Sequence, residues 1–301
     1  MMDLSKYIVK GAVTELISTF DKDEKLDLGM YENEIDFQLQ AGIKGLFTGG
    51  LASESLFTTQ EERVAMTKAA VKKANGVIPV IGNIAELRPD DALALLKGYE
   101  DAGVDAICIT QPYVIGYTQD MMVKYFTKLA ESTKLPVYIY NAPQTSNTLT
   151  PATVAKIANN NENVIGYKDS TQDIIHLESV QAGIMAGKHW ECVSGSDATI
   201  FPTLTVGGCG IISLISAVFP KPIIDICDIY FSGDVEGAFE KQKEILDIRT
   251  ALKGAPFLAG YKYAASLIDL PLGIVRAPLA DASDAEKAKI KENMIKLGLI
   301  R

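Results

Sequence analysis

Eight short apolar runs alternate along the chain with amphipathic segments, at a spacing of roughly 25–35 residues. The runs are Ala12–Ile17, Gly45–Thr48, Val77–Ile81, Ala106–Thr110, Val137–Tyr140, Val164–Lys168, Glu191–Ser194 and Gly210–Leu214. Most are apolar on both faces, as strands of a covered parallel sheet are. The segments between them carry helix signals. Thr58 and Glu61 have capping-box spacing, Thr150-Pro151 reads as an N-cap followed by proline, and Met122, Phe126, Leu129 and Ala130 share one helical face. Eight βα units in about 230 residues, without an obvious linker, predict an α/β fold of the (β/α)8 TIM-barrel type. A doubly wound sheet is the alternative, but it does not need eight even repeats.

Beyond Phe231 the strand pattern stops. Asp234–Lys253, Pro256–Asp269 and Ala282–Leu297 read as helices, with a turn at Pro271 and Gly273. The expected organisation is a catalytic barrel over residues 1–231 and a C-terminal helical domain over 232–301, packed on the barrel.

Composition narrows the function classes. The chain has 301 residues, 48% of them hydrophobic, enough for one large core or two modest domains. A net charge of -9 argues against nucleic acid, which requires basic surface. Cys108, Cys192, Cys209 and Cys227 are scattered with no CxxC, and the only histidines are His176 and His189, so neither a metal centre nor a Ser-His-Asp triad is expected. The first residues, Met1 to Lys6, lack a long apolar core, and no apolar run reaches the roughly 18–20 residues of a membrane helix. A cytoplasmic protein without a membrane partner is expected.

A (β/α)8 barrel places its chemistry at the C-terminal ends of its strands. Lys168 is at such an end, and so are Tyr140, Thr48 to Glu54, Gln111 to Tyr113 and Ser194 to Asp197. An ammonium at the end of a buried strand is disfavoured unless it is paired, neutral or used. A neutral lysine amine attacks carbonyl carbon. Lys168 is therefore either a Schiff-base lysine with a lowered pKa or an ion-paired barrel lysine, with Asp169 or Glu54 as partner. Tyr140 is either a proton donor two strand ends away or a core tyrosine. The loop Phe47-Thr48-Gly49-Gly50-Leu51-Ala52-Ser53-Glu54-Ser55 offers backbone amides to an anion, but is neither a Walker A sequence nor a dinucleotide fingerprint.

Taken in order, Gly11-Ala12-Val13-Thr14, Gly50–Glu54, Tyr140-Asn141-Ala142-Pro143, Gly166-Tyr167-Lys168-Asp169, Gly195-Ser196-Asp197 and Gly207-Gly208-Cys209-Gly210 resemble the dihydrodipicolinate synthase / N-acetylneuraminate lyase family of pyruvate-dependent class I aldolases. The likeness implies a barrel with a C-terminal helical domain, usually a homotetramer, without cofactor or metal. It implies that Lys168 forms a Schiff base with pyruvate or another 2-keto acid, and that Tyr140 is the general acid/base. Amides of Leu51, Ala52 and Ser53 would hold the keto-acid carboxylate.

The sequence departs from the family at several points. Leu51 and Ala52 replace the hydroxyl residues that relay protons, leaving Ser53 or Thr48 as substitutes. Val114, after Tyr113, replaces a tyrosine that reaches the neighbouring subunit. Glu15 stands where the family has a small residue, as a base, a counter-ion to Lys168, or an internal salt bridge. Pro143 is followed by Gln144, Thr145 and Ser146, without the arginine with which synthases bind their second substrate. The pattern around Lys168 and Ser194–Asp197 looks most like the 2-keto-3-deoxygluconate aldolases, which cleave sugar acids to pyruvate and an aldehyde. On that expectation Tyr113, Gln144, Ser196, Asp197 and Ser213 contact substrate, and the loops supply no basic residue for a phosphate. Dihydrodipicolinate synthase, a sugar-acid dehydratase and a non-catalytic binding barrel are the alternatives.

Overall fold

A computed structural model describes residues 7–145 and 147–301; Met1 to Lys6 and Ser146, both used in the sequence reading, lie outside the described residues. Eight parallel strands close into a barrel in chain order. They are β1 (Gly11–Glu15), β2 (Leu46–Thr48), β3 (Val80–Ile84), β4 (Ala106–Thr110), β5 (Val137–Asn141), β6 (Val164–Asp169), β7 (Glu191–Ser194) and β8 (Gly210–Ser213). The helices that follow successive strands are α1 (Leu28–Ala41), α2 (Gln60–Ala74), α3 (Pro89–Ala102), α4 (Gln119–Glu131), α5 (Pro151–Asn160), α6 (Ile174–Gly183), α7 (Ile200–Thr205) and α8 (Pro220–Phe231). The C-terminal helical part is α9 (Val235–Leu252), α10 (Ala259–Ser266) and α11 (Asp284–Lys296).

The barrel of the sequence reading is present, with local corrections. β3 starts at Val80, three residues after the expected Val77, which is 79% exposed. Pro79 lacks an N–H, so the chain joins the sheet with the Pro79 carbonyl, which accepts from Leu46 N at 2.9 Å. The capping box belongs to Thr59 and Glu62, one residue later than expected, while the Thr58 hydroxyl donates to the Glu54 carbonyl. Thr150 caps α5 as read, and Met122, Phe126, Leu129 and Ala130 are buried on α4.

Two cores result from the strand pleat. Val13, Phe47, Ile81, Cys108, Tyr138, Tyr140, Ile165, Val193 and Ile212 fill the barrel interior, and the larger cluster lies between strands and helices. The interior register sets the site. Val137 pairs with Val164 but Tyr138 pairs with Gly166, so β6 holds one extra residue, a bulge. Beyond it Tyr140 lies opposite Lys168, and both face inward. Gly166 is required there, since a Cβ would come within 2.2 Å of the Tyr138 ring. At the other end Glu191 closes the barrel, accepting from Ile8 N and Val9 N at 2.8 Å each and from the Tyr138 hydroxyl.

The C-terminal part is tied to the β2 loop through buried Glu54. Its carboxylate accepts from Ser18 Oγ at 2.8 Å, Lys262 Nζ at 2.7 Å and Arg276 N at 2.8 Å. Glu54 is therefore not the counter-ion of Lys168. Among the described residues no helix is long and apolar enough to cross a membrane.

Candidate active site

Lys168 is fully buried at the C-terminal end of β6, and its Nζ is 2.8 Å from Glu15 Oε2. Nζ also lies 4.0 Å from the Phe47 ring centroid and 4.1 Å from that of Tyr140, so aromatic faces flank the cation. Glu15 Oε1 accepts from the Ala52 amide at 2.9 Å. Both oxygens of Glu15 are thus engaged, one by the lysine and one by the glycine-rich loop. Gly50 makes room for this arrangement, because a Cβ there would lie 2.3 Å from Glu15 Oε1 and 2.6 Å from the Phe47 ring.

Of the two sequence readings of Lys168, a lowered pKa or an ion pair, the geometry shows the pair, with Glu15 as the partner. Burial pulls the Lys168 amine down, but Glu15, with Tyr140 and Cys108 behind it, outweighs burial, and the net direction is upward. That direction favours the ammonium form, which Glu15 holds at 2.8 Å. Asp169, the other partner considered, accepts from the Tyr167 hydroxyl and Thr171 Oγ1 at 2.9 Å each. Burial raises the Tyr140 phenol above its ordinary range, against the opposing charge of Lys168. Tyr140 is therefore a neutral proton donor at rest. Ser170 Oγ lies 3.5 Å from the Tyr140 hydroxyl and 3.0 Å from the Gly195 carbonyl, and so connects the phenol to the cavity wall.

A cavity of about 620 Å³ opens above this group. Of the residues named from sequence, Glu15, Leu51, Ala52, Tyr140, Gln144, Ser196 and Asp197 line it, and Lys168 sits beneath, in contact with Glu15 and Tyr140. Asp197 is buried, and its carboxylate accepts from the Ser213 hydroxyl and from Ile215 N at 3.3 Å. Burial pushes the Asp197 carboxyl up. Ser213 is one residue removed from the cavity, acting on Asp197.

Other candidates are turned elsewhere. Ser53 Oγ donates to the Leu16 carbonyl at 2.9 Å and accepts from Gly49 N, and Ser53 N donates to the Gly50 carbonyl. The Thr48 hydroxyl bonds Thr67 of α2 at 2.8 Å, outside the barrel interior. Tyr113 donates to the Ala85 carbonyl at 3.3 Å and does not line the cavity. Neither hydroxyl proposed as a relay substitute faces Lys168; the carboxylate of Glu15 does. Sequence reasoning missed Ser170, whose only signal was its place directly after the lysine strand. It also missed the wall contributed by Arg249, Leu252, Lys253 and the segment Ala255–Leu258. Those residues lie in the region read as a C-terminal helical extension packed on the barrel.

The profile of the dihydrodipicolinate synthetase family matches residues 8–297. The 4-hydroxy-tetrahydrodipicolinate synthase of Mesorhizobium japonicum is 30% identical over 294 residues, covering 97% of this chain and 100% of that protein. The dihydrodipicolinate synthase structure from Thermotoga maritima superposes with a TM-score of 0.93 at 28% identity, covering 98% of this chain and 100% of that one. A prophage protein of the dihydrodipicolinic acid synthase family from E. coli K12, solved in complex with pyruvate, gives a TM-score of 0.92 at 28% identity, covering 97% and 100%. With a closed parallel barrel, an inward lysine facing a tyrosine at its C-terminal rim and a match over nearly the whole chain, this protein belongs to the dihydrodipicolinate synthetase family of pyruvate-dependent carbon–carbon lyases.

Proposed function

We propose that the protein joins pyruvate to an aldehyde, or cleaves the corresponding product, through a Schiff base on Lys168. The observation that carries this reading is the juxtaposition of Lys168, Glu15 and Tyr140 under one cavity. Glu15 takes a proton from the Lys168 ammonium, and the freed amine attacks C2 of pyruvate. Loss of water from the carbinolamine gives the imine, which acts as the electron sink. Removal of a C3 proton gives the enamine, whose C3 attacks the aldehyde carbon while Tyr140 protonates the new alkoxide. The reverse sequence cleaves the C3–C4 bond. As the substrate carboxylate enters, the Ala52 amide exchanges its bond to Glu15 for one to the substrate.

For the second substrate, the named relatives support condensation with aspartate semialdehyde, as in 4-hydroxy-tetrahydrodipicolinate synthase, over cleavage of a sugar acid. One observation favours the sugar-acid reading. Thr145 stands where the synthases carry their arginine, and its hydroxyl is bonded to the Ala142 carbonyl at 2.8 Å. Product analysis separates the two. Pyruvate consumption with aspartate semialdehyde supports the synthase reading, release of pyruvate from 2-keto-3-deoxygluconate supports the aldolase, and a dehydrated, uncleaved keto acid supports a dehydratase. Val114 and Ile115, exposed on the loop after β4, support a subunit contact there and hence the homotetramer, which light scattering checks.

A further inference from the structure

Two cations line the cavity. Arg249, in the last turn of α9, and Lys253, four residues on, both line it. Among the described residues neither side chain makes an ion pair or a hydrogen bond to a protein group. The contrast lies on the same helix. Lys241 is 2.6 Å from Glu244 and Lys243 is 2.6 Å from Glu240, both away from the cavity. The acids of the cavity wall are already committed, Glu15 to Lys168 and the Ala52 amide, and Asp197 to Ser213 and the Ile215 amide.

Cations at a helix C-terminus are favoured by the backbone dipole, which accounts for one basic residue in this turn. It does not account for two neighbouring cations facing the same concave wall. Burial first, and then the charge of Arg249, push the Lys253 amine down, and the opposing charge of Asp197 does not offset them. An anion arriving between them removes that repulsion, and the planar guanidinium offers a carboxylate or phosphate a paired set of donors.

We propose that Arg249 and Lys253 form an anion subsite that takes the carboxylate or phosphate at the far end of the aldehyde, so that the second substrate of this enzyme is an anionic aldehyde. The proposal rests on the Schiff-base reading above. It places on α9 the positive charge that the loop after β5 lacks at Thr145.

The test compares three aldehydes with pyruvate: glyceraldehyde, which is neutral, aspartate semialdehyde, which carries a carboxylate, and glyceraldehyde 3-phosphate. The wild type is expected to use at least one anionic aldehyde with a kcat/KM about tenfold or more above glyceraldehyde, and the anion that gains identifies the group bound. In Arg249→Ala and Lys253→Ala the ratio of anionic to neutral efficiency falls by about tenfold, and Arg249→Lys recovers part of it. The expected loss is in KM for the aldehyde. A wild type without preference for either anion, or a ratio unmoved by both substitutions, overturns the subsite. Borohydride trapping of pyruvate on the same proteins separates this failure from the deeper one. An adduct that forms in the wild type while the ratio is unmoved removes the subsite alone; no adduct at Lys168 removes the Schiff-base reading and the subsite with it.

Discussion

Lys168 Nζ and Glu15 Oε2 are 2.8 Å apart inside the barrel, and the other oxygen of Glu15 is held by the Ala52 amide at 2.9 Å. The carboxylate thus occupies both partners that a keto acid needs, the amine and a loop amide. From β1 the Glu15 side chain is long enough to reach the lysine across the barrel. The same contact keeps the lysine charged at rest and supplies the base that discharges it.

Replacing Glu15 with Gln tests both roles. The carboxylate is what raises the Lys168 amine above its ordinary value, while burial acts in the opposite direction. Without that charge the largest raising influence is gone and burial keeps its lowering one, so the amine becomes neutral at lower pH. The acid limb of pyruvate trapping, measured against pH, should move down. Turnover should fall by about 100-fold, because the proton acceptor is lost. A pH profile that does not move contradicts the assignment.

Gly50→Ala should reproduce part of that phenotype. The added Cβ meets Glu15 Oε1 at 2.3 Å and the Phe47 ring at 2.6 Å, and both belong to the rigid interior. The expected cost is about 1–3 kcal/mol of stability, read from urea unfolding, with the trapping profile shifted in the same direction as in Glu15→Gln.

Tyr140→Phe removes the phenol but keeps the ring against the lysine. Lys168 should still form the imine with pyruvate, whereas carbon–carbon bond formation should slow by roughly 100- to 1000-fold. Single-turnover kinetics separate the two steps. Equal losses in imine formation and in bond formation would assign Tyr140 to the first step instead.

Glu54 is a structural residue on this account, despite its place in the glycine-rich loop. Lys262→Met removes its charged partner and leaves a carboxylate buried with Ser18 and the Arg276 amide alone. Destabilisation of about 3–5 kcal/mol is expected, measured by denaturant unfolding. Pyruvate trapping in the residual folded protein should continue at Lys168.

Much of this was legible in the sequence, and the reasons are physical. Strands covered on both faces are continuous apolar runs, so the eight-fold pattern survives even where Pro79 displaces β3 to Val80. The position of Lys168 at a strand end marks the catalytic face of any such barrel. The bulge in β6 that turns Lys168 and Gly166 to the same side as Tyr138 and Tyr140 has no local signature, since it is a register property of two strands. Arg249 and Lys253 were invisible because cations on an amphipathic helix read as a solvated face, and only the packing of α9 beside the barrel mouth brings them to the cavity. Thr48 and Ser53 misled for a related reason, as sequence position cannot tell which way a hydroxyl turns.

The most direct measurement is reduction of the enzyme with borohydride in the presence of pyruvate, followed by peptide mass mapping. The account predicts one reduced-pyruvate adduct per chain, on the peptide containing Lys168, and none in Lys168→Ala. Modification at any other lysine, or an unmodified enzyme after saturating pyruvate, would contradict it.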